Sequence, residues 1–315
     1  MLDLVPQNNF NVRADSIEHQ HHDINDTSLF ETYAKFSRKP TLCEVDGLIS
    51  ELPNYKTIYN TATNSVVDMR PVPDSYKLVP HEKMLASHAE QFARQFPEYL
   101  KGITVVDKLF ESGKKAQRTV YFDDLTVDVG QGDPVKPRID IYNSIDMSWA
   151  FQVFSGAYRS LCRNTLVFGG EKAFHQRRKH TRNLEPDAIT HKANVSLDAF
   201  VHQRDWLKGL RDKHVSWADF AKFLQFTLCN TSDEKNPSRV NDALHTYLMQ
   251  IWDDQIVDLG FTAWNAYNVL THWSTHTLDS PRARKSHRVH DVQRQRSDIV
   301  RDLLGSEEWS QLVTA

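Results

Sequence analysis

The residues best suited to chemistry gather in one run. Between Tyr158 and Lys192 the chain places Arg159, Arg163, Lys172, Arg177, Arg178, Lys179, Arg182 and Lys192 against only Glu171, Glu185 and Asp187. His175, His180 and His191 add further donors. Cationic groups at that density neutralise phosphates and release condensed counterions. Tyr158, Phe168 and Phe174 are interleaved with them, and a groove that stacks single-strand bases needs such rings beside its cations. A second cluster, Arg282, Arg284, Lys285, Arg288, Arg294, Arg296 and Arg301, meets only Asp291 and Asp298. The first 81 residues are acidic by contrast, with 11 Asp and Glu against 7 Lys and Arg. Charge polarised in this way, on a chain of formal net charge -3, excludes a uniformly basic polymer binder and fits a local phosphate-backbone track. The plainer reading makes both windows solvated faces of helices or loops.

Other candidate chemistry is sparser. Asp123, Asp124, Asp128, Asp133 and Asp140 fall on or between runs that read as strands. A metal-dependent nuclease uses two or three carboxylates on such a sheet, although Asp in turns and on exposed strand faces is commonplace. His272 and His276 stand four apart on a run of helical character, where two imidazoles can share a metal, but no third ligand is evident and Trp264, Tyr267 and Trp273 suggest packing. His19, His21 and His22 beside Asp23 and Asp26 could also ligate a metal, and are read here as a solvated histidine run. The phosphate-cradling GxxxxGK[ST] loop, the HExxH helix and the GxSxG elbow are all missing. Cys43, Cys162 and Cys229 form no CxxC pair, so neither a disulfide framework nor a thiolate zinc site is expected, in keeping with a reducing cytoplasm. Cys162 reads as a packed small hydrophobe. The expectation is no catalytic residue, no metal and no cofactor.

These residues need elements to hold them. A length of 315 residues with 40% hydrophobic and 25% charged composition is ample for a core. The N-terminus lacks a cationic stretch followed by an apolar run, and no window reaches about 18 apolar residues, so neither a secretory signal nor a membrane span is expected and the chain is placed in the cytoplasm. Residues 1–40 read as a polar N-terminal arm. Residues 41–195 read as an α+β core. Within it, TIYNTAT and SVVDM form a small sheet or hairpin, and Leu85, His88, Phe92, Phe96 and Tyr99 predict an amphipathic helix over about 82–96, ended by Pro97. Alternating runs over 103–155 predict a three- or four-stranded antiparallel β-meander. Residues 196–315 read as a helical region, with Ser216 and Asp219 capping one helix and Ser238 opening another. The predicted class is α+β: an antiparallel β-meander with packed helices, followed by a helical C-terminal half.

Several of these segments carry a resemblance. SYKLVP (75–80), KPRIDIYNSID (136–146), FSGAYRSLCRNTLVFGG (154–170) and KHTRN (179–183) resemble the phage/plasmid-like family called domain of unknown function 932. The shared features are an aromatic-x-x-Val-Pro entry at Tyr76–Pro80, an Asn-Ser-x-Asp turn at Asn143, Ser144 and Asp146, an Arg-x-x-Cys-x-Asn core at Arg159, Cys162 and Asn164, and His180-Thr181. AWNAYNVLTHW (263–273) resembles the family's tryptophan-rich helix. Where the family often has Gly after the turn aspartate, this chain has Met147. Members occur on phages and mobile elements, which implies work on incoming or replicating DNA. The element order is also similar to phage single-strand annealing proteins (the Red-beta/RecT class), a fold-level analogy.

Together these readings predict a protein that binds single-stranded DNA and promotes annealing without nucleotide hydrolysis, as a homo-oligomeric ring or filament. Arg159, Arg163, Lys172, Arg177, Arg178, Lys179 and Arg182 would contact phosphates, and Tyr158 or Phe174 would stack on bases. Two alternatives accompany it: a nuclease using the meander carboxylates, and a host-interaction or anti-restriction factor whose basic faces dock an acidic host protein. Arg159 and Arg163 have a structural alternative too, pairing with a core carboxylate such as Asp140 or Asp146.

Overall fold

Thirteen stretches of described backbone are extended. In chain order they are β1 (Asn11–Arg13), β2 (Ser16–His21), β3 (Phe36–Val45), β4 (Leu48–Asn60), β5 (Ser65–Val66), β6 (Val72–Pro73), β7 (Ile103–Phe110), β8 (Lys115–Phe122), β9 (Val127–Asp128), β10 (Pro134–Ser144), β11 (Phe151–Arg159), β12 (Asn164–Leu166) and β13 (His175–Arg178). The helices are α1 (Ser28–Tyr33), α2 (His81–Gln95), α3 (203–212), α4 (Trp217–Phe226), α5 (Asp242–Leu259), α6 (Ala263–Thr275), α7 (Val289–Leu304) and α8 (Glu307–Leu312). This computed structural model describes residues 11–13, 16–67, 70–130, 132–166, 175–185, 203–231, 239–277 and 289–314. The α+β class is as the sequence predicts. None of the described helices is long and apolar enough to cross a membrane.

The chain divides into two compact units that are discontinuous in sequence: residues 1–124, 138–155 and 173–196 form one, and 125–137, 156–172 and 197–315 the other. Strands β10 and β11 each contribute residues to both units, 134–137 and 156–159 falling in the second.

In the first unit the meander is antiparallel, in the order β1-β2-β7-β8-β10-β11, with β13 on β11. Period-2 alternation puts Ile103, Val105 and Leu109 of β7 on one buried face, level with Val120 and Phe122 of β8 and Ile139 and Ile141 of β10. Helix α2 buries Met84, Leu85, His88, Ala89 and Phe92, the stripe its spacing predicts, and Phe92 packs on Phe122 with ring centroids 5.1 Å apart. Among the described residues of the segment expected as a polar arm, β2 pairs along β7, α1 buries Leu29 and Phe30, and β3 joins β4 in a second sheet with β5 and β6. Asp46 and Gly47, both at positive φ, make the tight turn between β3 and β4.

In the second unit β9 pairs with the start of β10, and β12 with the end of β11. Four helix starts are capped by side chains that accept a backbone N–H: Ser216 from Asp219, Asn241 from Leu244, Thr262 from Asn265 and Ser306 from Trp309. The cap of α5 is therefore Asn241; Ser238 lies outside the described residues. Helix α6 is buried nearly all round, with Trp264, Tyr267 and Leu270 fully covered, and Trp252 of α5 stacks on Phe220 of α4 at 4.7 Å.

Candidate functional site

Three segments far apart in the first unit converge on Tyr76. Its hydroxyl donates to the Ser144 carbonyl (3.1 Å) and its ring stacks on His180 (centroids 5.2 Å apart, 20° between planes). The 180–184 segment is pinned alongside: Lys77 N donates to the His180 carbonyl (3.0 Å), His180 Nδ1 donates to the Lys77 carbonyl (3.1 Å) and Lys77 Nζ reaches the Leu184 carbonyl (2.7 Å). Asn143 Nδ2 donates to the Val79 carbonyl (3.1 Å) and to His81 Nδ1 (2.9 Å), which leaves the His81 proton on Nε2 for the Gly113 carbonyl (2.9 Å). Ser144 Oγ closes the 144–149 turn through Trp149 N (2.9 Å) and the Trp149 carbonyl (3.1 Å), and Asp146 Oδ1 accepts from Ser148 N (3.0 Å). Met147 in this turn has φ 65°, a left-handed conformation that glycine adopts freely, which is the physical reason a related sequence would carry Gly there. Burial pushes His81 down to about 4 and His180 below the usual histidine range, so both imidazoles are neutral at neutral pH. Burial and the nearby Asp146 charge raise the Tyr76 hydroxyl, which stays protonated.

Arg159, Cys162 and Asn164 belong to the second unit and do something different. Arg159 is buried, and its Nε donates to both oxygens of Asp133 (2.7 and 2.9 Å). Arg211 Nη2 (2.7 Å) and Trp264 Nε1 (3.0 Å) complete the carboxylate, and both guanidinium groups lie 5.8 Å from the Trp264 ring. Arg159 Nη1 also donates to Cys162 Sγ (3.2 Å). Asn164 Nδ2 reaches the Asn268 carbonyl (3.4 Å), and its Oδ1 faces His276 Nε2 (3.1 Å). Arg159, expected to contact phosphate or to pair with a core carboxylate, has its charge matched inside the fold by Asp133, not by Asp140 or Asp146.

These two clusters hold described residues of the quoted motifs in specific contact networks. The model of the family described as Domain of unknown function (DUF932) matches residues 71–299. The chain belongs to that family. No curated protein and no solved structure matches it. The likeness to annealing proteins of the Red-beta/RecT class thus has no support from a known structure.

What the family segments build in the first unit is a cleft of about 390 Å³, lined by Tyr76, Met147, Trp149, Arg177, Lys179, His180 and Arg182 among others. Arg177, Arg178, Lys179 and Arg182 are exposed, and none has an ion-pair partner among the described residues. Successive residues of β13 point to opposite faces, so Arg177 lines the cleft and Arg178 does not. His180 is buried, and its Nε2 has no hydrogen-bond partner among the described residues. Trp149 and Met147 were not singled out as site residues; no local pattern marks them, since a turn between two strands brings them there.

The other expected contacts are not gathered at this cleft. Tyr158 is half-buried in the second unit with Lys136 Nζ 6.0 Å from its ring centre, and Arg163 is exposed in a turn at φ 57°. Lys172 and Phe174, with Phe168, lie outside the described residues, as do Arg282, Arg284, Lys285 and Arg288. In the rest of the second basic window, Arg294 and Arg301 pair with Asp298 (3.8 and 2.8 Å), and Arg296 lies over the Trp273 ring at 4.6 Å. The meander carboxylates are dispersed too. Asp140 accepts from Arg138, Gln117 and Thr119, Asp123 from Thr104, and Asp128 from the amides of Gly130, Gly132 and Asp133.

Proposed function

We propose that this protein binds single-stranded DNA, with the cleft beside Tyr76 taking a phosphate and an adjoining base, and that it promotes annealing without nucleotide hydrolysis. The observation that carries the reading is the set of exposed cations, Arg177, Lys179 and Arg182, around a cleft whose lining also includes the Tyr76 ring stacked on the buried, neutral His180. Cations on a rim with a ring and a hydrogen-bonding imidazole inside suit a backbone contact and base stacking. Arg178, on the other face of β13, extends the charge beyond the cleft mouth. The nuclease alternative gains nothing from the dispersed meander carboxylates. The host-factor alternative uses the same cations, and the test below separates it.

Homo-oligomerisation belongs to the same proposal, because an array of weak sites along one strand gains avidity. The surface assigned to a second copy is the tip of the β3–β4 hairpin, where Leu42, Val45, Leu48 and Ile49 are all strongly exposed beside open strand edges.

The test is fluorescence anisotropy of a labelled oligothymidylate with the native chain and with the triple variant Arg177→Ala, Lys179→Ala, Arg182→Ala, each checked for an unchanged melting curve. Single-strand affinity falls with log salt by about 0.7 per neutralised phosphate, so removing three contacts flattens the slope by roughly 2. Equal affinity of the two proteins at low salt overturns the mapping. No binding by the native chain at low salt removes the DNA reading and leaves the host-factor alternative.

A further inference from the structure

The N-terminal histidines read in the sequence as a solvated run, and the fold places two of them elsewhere. Strand β2 pairs with β7 so that His19 stands opposite Asp107 and His21 opposite Val105; two residues apart on a strand, their rings share one face. Asp107 in turn stands opposite Arg118 on β8. Arg118 is fully buried: its Nε and Nη2 hold the two Asp107 oxygens (2.7 Å each), its Nη1 holds the Ile24 carbonyl (2.7 Å) and Nη2 also reaches the Asp26 carbonyl. That clamp ties the 24–26 turn to the sheet and sets the Asp26 side chain against the rings. Asp26 Oδ2 lies 3.8 Å from His19 Nδ1, the two ring centroids are 4.8 Å apart, and one ligand atom from each of His19, His21 and Asp26 falls within 4.8 Å of the others.

The protonation pattern suits a cation. His21 Nε2 lies 3.0 Å from Asp107 Oδ2; an ionised carboxylate only accepts, so the proton sits on Nε2 and the Nδ1 lone pair is left free. The His21 side chain is 8% exposed, and its Nδ1 is buried with no hydrogen-bond partner among the described residues. A histidine whose far nitrogen is held by a carboxylate is how metal-binding imidazoles are oriented and made more basic. Asp107 is offset by Arg118, so Asp26 supplies the one uncompensated negative charge.

We propose that His19, His21 and Asp26 form a site for a divalent transition ion of the zinc class, with water completing the coordination. Two nitrogens and one carboxylate select such an ion over calcium or magnesium, which take oxygen ligands. Bonds of about 2.0–2.1 Å put tetrahedral ligand atoms roughly 3.3 Å apart. The 3.8 Å Asp26–His19 separation is already close to that, and small side-chain rotations close the rest. The bound ion fastens β2 and the following turn to each other. The inference is independent of DNA binding.

The experiment titrates the full chain, stripped with EDTA, with zinc chloride against a chromophoric chelator, and records the melting temperature with and without zinc. The expected result is one tight equivalent and a raised melting temperature. His19→Gln with His21→Gln should abolish that equivalent, and Asp107→Asn should weaken it about 10- to 100-fold. His22→Gln should leave it unchanged, since the His22 ring bonds the Ile103 carbonyl (2.9 Å) outside the cluster. Zinc binding as tight in the double variant as in the native chain overturns the site. So does the absence of both stoichiometric binding and a melting shift in the native chain, a result that requires no variant to fold.

Discussion

Replacing Asp133 with Asn tests whether the arginine of the family's Arg-x-x-Cys-x-Asn segment is structural. Asp133 is 2% exposed and is the shared acceptor for Arg159, Arg211 and Trp264. The substitution keeps the shape and removes the charge. It leaves two largely buried guanidinium groups without their carboxylate and turns an amide donor toward other donors. Breaking one buried pair costs about 3–5 kcal/mol, and two stranded cations place this change at about 4–5 kcal/mol, a large part of a typical 5–15 kcal/mol total. Arg159→Met should cost less, because Arg211 still neutralises Asp133. The double variant should be more stable than the sum of the two losses implies, with a coupling of about 2 kcal/mol. Urea unfolding followed by tryptophan fluorescence is the assay. Six of the seven tryptophans, all but Trp149, lie in the second unit, so the signal reports this region. A loss under about 1 kcal/mol for Asp133→Asn refutes the reasoning. So does Arg159→Met weakening oligonucleotide binding with its unfolding midpoint unmoved.

Other outcomes follow from single residues. His81 titrates near pH 4 in the folded chain against about 6.5 when unfolded, so its share of stability is complete above pH 6.5 and is lost as the pH falls toward 4, about 3 kcal/mol in all. Unfolding free energies measured from pH 7 to 4 should fall less steeply in His81→Gln, and equal slopes would count against this burial. Met147→Gly relieves a left-handed backbone and should raise stability by up to about 1 kcal/mol, read as a higher melting temperature. Leu48→Asp with Ile49→Asp should lower the native mass measured by light scattering while leaving the melting curve in place; a native chain that is already monomeric speaks against the hairpin contact.

Much of this protein could be read locally. The alternation in β7, the stripe on α2 and the Ser216–Asp219 cap are visible in short windows because each depends on neighbours within a turn or a strand. The quoted motif segments were also legible, and Tyr76, Asn143, Ser144 and His180 do meet in one network. Strand β2 was not legible: SIEHQH puts only one hydrophobe, Ile17, on its inward face beside His19 and His21, so its hydrophobic signal is weak, and what makes that face acceptable is Asp107 and Arg118, about 90 residues further along.

The amino-acid order alone determined the class of the fold, the meander and helices with clear periodicity, and the uneven distribution of charge. Only the tertiary structure decided which cations remain available. Arg159 and Arg177 look alike in a sequence window, yet one is buried against Asp133 and the other lines an open cleft. The physical reason is that a charge is silenced or left free by partners and solvent exposure, and both are set by contacts between segments that no local pattern encodes.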